Sequence, residues 1–251
     1  MVIAFANLKG GVGKTTLAFL LSSLNHLLKT DYTILSIDLD PQANLTSRLL
    51  RDLKKAQDGN ISRFFQGTIS LDELIFPSRF TNNFIVPSHL ELEITKEKLK
   101  QKINGVFALK KGLKNITMYD IVVLDCPPSL DILTANALVA ADVVFIPVSP
   151  DDFSLSGLLK IKEVIDAAKD LNPELRVGGI IPNLIDKRYR VHNEFLKNLQ
   201  SQAFAPILPP IPRRAAIQKA LKRRIPLTEV PGASETLREM SLFVQKILGI
   251  I

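Results

Sequence analysis

Eight residues near the N-terminus constrain this chain more than any others: Lys9-Gly10-Gly11-Val12-Gly13-Lys14-Thr15-Thr16. They stand between an uncharged apolar run at 2–6 and a helical pattern at 15–29, in which Leu17, Leu20, Leu21, Leu24 and Leu28 form one stripe. Glycines let backbone N–H groups turn inward and approach phosphate oxygens with no Cβ in the way. A helix starting directly afterwards adds its positive N-terminal end. In such a loop Lys14 is spaced to reach the β- and γ-phosphates of a nucleotide, and the Thr15 hydroxyl to hold Mg²⁺. The commonest phosphate-loop pattern would have a glycine at position 8. This chain has Leu8 there, followed by Lys9 and paired glycines.

The alternation that surrounds the loop continues along the chain. Buried-strand runs fall at 32–37, 83–87, 121–124, 143–148 and 177–181, and helical patterns at 91–103, 131–140, 154–170 and 190–203. Two further helices at 213–223 and 232–248 close the chain. This order predicts an α/β fold with a mostly parallel twisted sheet covered by helices on both faces. With no internal repeat, low-complexity tract or long polar linker, residues 1–251 are expected to form a single domain. A length of 251 residues, 46% of them apolar, is enough to bury a large core without cross-links and excludes a disordered chain. Cys126 is the sole cysteine, which excludes an intramolecular disulfide, a Cys₄ zinc site and a cysteine-held iron–sulfur cluster. No basic n-region opens the chain and no apolar run reaches 18 residues, so a soluble cytoplasmic protein is expected.

KGGVGKTT, with its extra lysine at Lys9, resembles the deviant Walker A motif of the ParA/MinD family of ATPases. Residues 36–46 (Ser-Ile-Asp-Leu-Asp-Pro-Gln-Ala-Asn-Leu-Thr) are similar to the family's second motif, and 121–130 (Ile-Val-Val-Leu-Asp-Cys-Pro-Pro-Ser-Leu) to its Walker B motif. The segment 84–90 resembles the family's third strand; the likeness runs from residue 2 to about 184, with a weaker match at 211–213. The resemblance implies a P-loop NTPase fold that binds ATP and Mg²⁺ and hydrolyses ATP slowly until a ParB-like partner stimulates it.

Residue by residue, it implies that Gly10, Gly11, Val12, Gly13, Lys14, Thr15 and Thr16 cradle the nucleotide. Lys9 would cross a dimer interface to the partner's phosphates, acting in trans as an arginine finger does. Asp40 would position or activate the attacking water, with a turn before Pro41 as its plainer role. Asp38 would support the metal shell, or again serve the turn. Asp125 ends an apolar run at the carboxyl edge of the sheet, where it would hold Mg²⁺ through water or cap the next helix. Asp151 would touch the partner's nucleotide, although a helix N-terminal charge is equally good physics. Asn183 is placed to read the adenine edge. Cys126 reads as packing, and the scattered His26, His89 and His192 receive no role.

Charge adds a second constraint. Between Asp186 and Arg224 stand ten Lys and Arg against two acids, so this segment carries +8 of a net +7 and the remainder is −1. A solvated face would account for this, as would a basic patch facing a polyanion. ParA-like members carry DNA-contacting Arg and Lys at this place. Arg213, Arg214, Lys219, Lys222, Arg223 and Arg224 are therefore the DNA-binding candidates, with Lys219, Lys222 and Arg223 on one side of a helix. The family's usual sequence after Ile-Pro-Arg is altered here to Arg214-Ala215-Ala216-Ile217. MinD-like members instead bind membrane through a C-terminal amphipathic helix. Residues 240–251 are apolar, yet hold one lysine only, and read as a helix docked on the core.

With a strand expected from residue 2, no N-terminal helix-turn-helix domain is expected. The combined expectation is an ATP-bound sandwich homodimer that grips double-stranded DNA non-specifically and is released by hydrolysis. Such a protein would be nucleoid-associated and serve plasmid or chromosome segregation. The alternative is a MinD-like membrane-associated positioning ATPase.

Overall fold

Runs of β-branched and leucine residues that carry no charge can be buried on both faces, and here they occupy the middle of one sheet. The computed structural model describes residues 1–152 and 155–249. Its strands are β1 (Val2–Phe5), β2 (Ile34–Asp38), β3 (Phe76–Pro77), β4 (Asn83–Val86), β5 (Ile121–Asp125), β6 (Val143–Val148) and β7 (Arg176–Pro182). They are ordered β3-β4-β2-β5-β1-β6-β7, and every pairing is parallel except β3 with β4. All residues of β2, β5 and β6 are buried.

Strand alternation sorts the core into two layers. Ile3, Phe5, Val123, Val143 and Phe145 point to one face. There they meet α1 (Lys14–Ser22), α2 (Leu24–Leu28), α3 (Asn44–Leu49), α4 (Lys55–Asp58), α11 (Ala215–Arg223) and α12 (Ser234–Leu248). Ala4, Leu35, Ile37, Leu124, Val144 and Ile146 point to the other. That face is covered by α5 (Ile61–Gln66), α6 (Leu92–Lys100), α7 (Ala108–Leu113), α8 (Ile132–Ala140), α9 (Leu155–Leu171) and α10 (Arg190–Gln202). α12 buries Met240, Phe243, Val244 and Ile247, and its Ser241 hydroxyl donates to the Leu27 carbonyl at 3.2 Å. It docks on the core as its pattern predicts. Among the described residues no helix is long and apolar enough to cross a membrane.

Several boundaries differ from the sequence pattern. The helix expected over 15–29 breaks at Ser23, whose amide bonds back to Phe19 and Leu20 while α2 restarts. The pattern at 91–103 stops at Lys100. The helix expected from 213 starts at Ala215, because Arg214 is extended (φ −122°, ψ 124°) after Pro212. Of the 154–170 pattern, Ser154 lies outside the described residues, as do Ile250 and Ile251 of the chain end. Helices α3, α4, α5 and α7 and strand β3 were not legible as periodic segments. Each has six residues or fewer, too short to hold together without tertiary contacts.

Close packing on the first face leaves no room at Gly178 in β7. An added Cβ would lie 2.4 Å from Phe145 Cε1 and 2.8 Å from Val143 Cγ2. Gly178→Ala should therefore destabilise the protein by about 1–3 kcal/mol in urea unfolding, the usual cost of overpacking. Adding Phe145→Leu to that variant should recover part of the loss.

Candidate nucleotide site

The carboxyl ends of β1, β2 and β5 meet at one edge of the sheet, and the glycine loop leaves β1 there. Gly11 and Gly13 sit at φ 79° and 100°, a region that side chains with a Cβ avoid. At Gly13 a Cβ would also fall 2.0 Å from Asn183 Nδ2. That amide donates to the Val12 carbonyl at 2.8 Å. Asn183 is buried, so the structure places it as a brace beneath the loop, with its donor engaged there rather than presented to an open base edge. Asn7 steadies the loop from the other side, donating to the Pro147 carbonyl at 2.6 Å and accepting from the Lys9 amide at 3.3 Å.

Lys14 opens α1 and folds back into the loop, where its ammonium donates to the carbonyls of Asn7 (3.0 Å) and Lys9 (2.7 Å). It is 6% exposed. Burial lowers its pKa, and Asp125, Cys126 and Asp40 counter that shift. Lys9 itself is exposed, at the open rim.

Three carboxylates, Asp38, Asp40 and Asp125, lie close enough at this edge to act on one another electrostatically. Asp38 and Asp125 are direct register partners at the ends of β2 and β5, and both are fully buried. Asp38 accepts from the Thr46 amide and hydroxyl, both at 2.8 Å, and from the Asp40 amide at 3.1 Å. Burial still pushes its pKa up to about 6. Neither oxygen of Asp125 has a hydrogen bond of normal geometry. Burial and the adjacent Asp38 charge hold its pKa well above the usual carboxylate range, offset in part by the Thr15 hydroxyl and Lys14. Asp40 is 8% exposed and accepts from the Gln42 amide at 2.9 Å; its pKa is raised by burial and opposed by Lys14. Two unpartnered buried oxygens beside a threonine hydroxyl and a second carboxylate make a hard oxygen donor set that fits Mg²⁺. Cys126 lies beneath them, its thiol pushed up by burial and by Asp125, and takes no part.

A cavity of about 310 Å³ opens over this cluster. Its lining includes Gly10, Gly11, Gly13, Lys14, Thr15, Thr16 and Asp40, which sequence reasoning named, and Gln42, Asn44, Arg48 and Pro128, which it did not. Asn44 and Arg48 are four residues apart on α3, so the helical spacing after the Asp-Pro-Gln turn was the signal available. Beside the cavity, Lys96 pairs with Glu93 and with Asp131 (3.5 Å), and both acids raise the Asp40 pKa.

The basic segment divides into different environments. Lys219, Lys222 and Arg223 are exposed on α11, and Arg224 ends that helix at φ 58°. Arg213 pairs with Asp151 at 3.3 Å, both exposed, on the far side of the loop. Arg214 does not join the exposed cluster. It is held by Glu235 at 2.8 Å and by Glu239, two carboxylates one turn apart on α12, and Glu239 raises its pKa. Neighbours in sequence diverge here because Arg214 precedes the helix and points toward α12.

A glycine loop between the first central strand and its helix, with a buried lysine and acids on the adjoining strand ends, defines a P-loop nucleotide-binding fold. Residues 1–177 match the family described as AAA domain. The chromosome partitioning protein ParA of Myxococcus xanthus is 33% identical over 217 residues, which cover 83% of this chain and 75% of that one. A cobyrinic acid a,c-diamide synthase from Mycobacterium smegmatis, solved with bound ATP analog and magnesium, superposes with a TM-score of 0.82 at 28% identity, covering 98% of this chain and 93% of that chain. A plasmid partition protein from Borrelia burgdorferi bound to AMPPNP gives a TM-score of 0.81 at 26% identity, covering 99% and 97%. The chain belongs to the ParA family of partition ATPases.

The raised Asp38 pKa has a measurable consequence for the metal-free protein. Its stabilising effect is fully present below about pH 4 and is lost as pH rises through about 6, because ionisation of this buried group opposes folding. Unfolding free energy should therefore decline across that window by up to about 3 kcal/mol on this account. In Asp38→Asn that part of the slope should vanish, which urea titrations at pH 4, 5, 6 and 7 would show.

Proposed function

We propose that residues 1–251 act as one ATPase unit that binds ATP with Mg²⁺, dimerises around it, and holds DNA until hydrolysis releases the dimer. The observation that carries this reading is the convergence of Lys14, Thr15 and Asp40 on one cavity at the glycine loop, with the unpartnered Asp125 buried close to Lys14 and Thr15. Its relatives supply the partition context, and the exposed basic face of α11 supplies a surface for phosphates.

In this reading the loop amides from Gly10 to Thr16 and the N-terminus of α1 cradle the phosphates, and Lys14 exchanges its two carbonyl partners for phosphate oxygens. Thr15, Asp38 and Asp125 would hold the magnesium, which neutralises phosphate charge when bound. Asp40 orients a water toward the γ-phosphorus. The water oxygen bonds to phosphorus, the bond to the β–γ bridging oxygen breaks, and ADP leaves with phosphate as the second product. The exposed Lys9 reaches the nucleotide of a second copy, so that chemistry waits for two chains to close. Asp151, paired with Arg213, faces that second copy, and Asn183 holds the loop from beneath through Val12. Turnover is slow until a ParB-like protein stimulates it.

The DNA-binding surface is Lys219, Lys222 and Arg223, with Arg213 and Arg224 at its margins, while Arg214 anchors α12. Contacts of this kind read phosphates rather than bases. A membrane-bound alternative would need the apolar stripe of α12 free, and that stripe is buried in the core.

Binding to random-sequence duplex should appear with ATP and not with ADP or without nucleotide, and should weaken as salt rises. Replacing Lys219, Lys222 and Arg223 by Ala should lower affinity and flatten the log–log salt slope by about three for each copy of α11 in contact with the duplex. An unchanged slope would remove α11 as the DNA surface. Lys14→Ala should lose ATP-dependent DNA binding altogether. Asp40→Ala should keep the ATP-bound dimer on DNA while turnover falls by about a hundredfold or more, as loss of a water-positioning group does. Wild-type turnover in that variant would remove Asp40 from its role.

A further inference from the structure

One cation in the cavity has no part in the scheme above. Arg48 lies on α3 and is half-buried, lining the cavity together with the glycine loop, Asp40, Gln42 and Asn44. Its guanidinium donates to its own helix, to the Asn44 carbonyl and at 3.5 Å to the Asn44 side chain. Among the described residues it makes no ion pair with a carboxylate. Arg224, at the end of α11, lies close enough to oppose its charge, whereas Asp125 and Asp38 favour it; burial outweighs both acids and lowers its pKa. A partly desolvated guanidinium with no ion-pair partner is stabilised by an anion that can bond to it directly.

The position of α3 is rigidly set. The Thr46 amide and hydroxyl bond to Asp38, Leu45 and Leu49 are buried in the core, and the Thr46 hydroxyl also accepts from the Ser88 amide at 2.8 Å. Arg48 is therefore presented from fixed backbone, on the side of the cavity that holds Asp40, beyond the end of β2.

We propose that Arg48 binds the γ-phosphate of ATP, as a guanidinium supplied by the same chain, and distinguishes ATP from ADP. This rests on the nucleotide reading of the cavity given above. Its geometry suits the terminal phosphate. Lys14 and the loop amides surround the phosphates from below, and Arg48 faces them from the wall that carries the water-positioning Asp40. A planar guanidinium binds two phosphate oxygens at once, which a lysine cannot do. When ATP is bound, Arg48 exchanges the Asn44 carbonyl for phosphate oxygens, and the added negative charge relieves its opposition to Arg224. ADP lacks the group that makes this contact.

The test uses the full chain with Mg²⁺ and fluorescent ATP and ADP analogues, on wild type, Arg48→Ala, Arg48→Gln and Arg48→Lys. Arg48→Ala should weaken ATP binding about ten- to a hundredfold, the loss of a charge-assisted contact, while ADP binding changes by less than about twofold. Arg48→Lys should keep part of the preference and Arg48→Gln none. Should Arg48→Ala fail to fold, Arg48→Gln preserves the stem and gives the same reading, and the melting temperature without nucleotide reports whether α3 is intact. Equal loss of ATP and ADP, or no loss of either, would overturn the role of Arg48 while leaving the nucleotide site standing. A wild type that binds neither analogue would overturn the nucleotide site and this contact with it.

Discussion

The structure depends on charge held out of water at one edge of the sheet. Lys14, Asp38, Asp40 and Asp125 are each no more than 8% exposed, and they sit within one cluster at the ends of β1, β2 and β5. Desolvating a lysine and three carboxylates is costly unless each charge finds a counter-charge or hydrogen bonds. Asp38 has three donors; Lys14 has two carbonyls; Asp125 has no bond of normal geometry. The cluster is thus only partly satisfied by the protein itself. A phosphate chain with its divalent cation supplies the missing groups, which is why binding such a ligand and stabilising this edge are the same event.

The surrounding architecture keeps that cluster in register. β1 lies between β5 and β6, so the loop leaving β1 emerges over Asp125, and β5 lies against β2, so Asp38 faces Asp125 across one backbone spacing. Helices from both layers then reach the same edge. α3 brings Asn44 and Arg48, and the start of α8 is capped by Asp131, whose carboxylate also meets Lys96. Further along the chain α12 clamps Arg214 with two glutamates, while α11 carries its exposed cations outward and Ile217, Ala220 and Leu221 inward.

Much of this was legible in the chain. Each sheet-centre strand is a largely apolar run with no charge before its last residue, and burial on both faces leaves few alternatives for such runs. Asp125 could be picked out because a charge ending an apolar run lies at a strand end, whereas Asp38 and Asp40 were picked out by their place in a motif that resembles the family's. The short elements were not legible. α3 is six residues long, and it exists because Thr46 is tied to Asp38 and Leu45 and Leu49 are buried in the core. Arg48 was invisible for the same reason, since its place follows from a helix that local propensity does not specify.

The sequence by itself determined the order of strands and helices, the phosphate-binding character of the loop, and the set of acids at its mouth. These follow from local rules: hydrophobic period, glycine conformational freedom, and the position of charges in apolar runs. Only the tertiary structure decided which charges act together. It put Asn183 under Gly13, bonded to Val12 171 positions earlier in the chain, separated Arg214 from its neighbours by pairing it to α12, and brought Arg48 to the cavity wall. Those outcomes depend on distances between elements far apart in the chain, and electrostatic and hydrogen-bond energies are settled by such distances rather than by position in sequence.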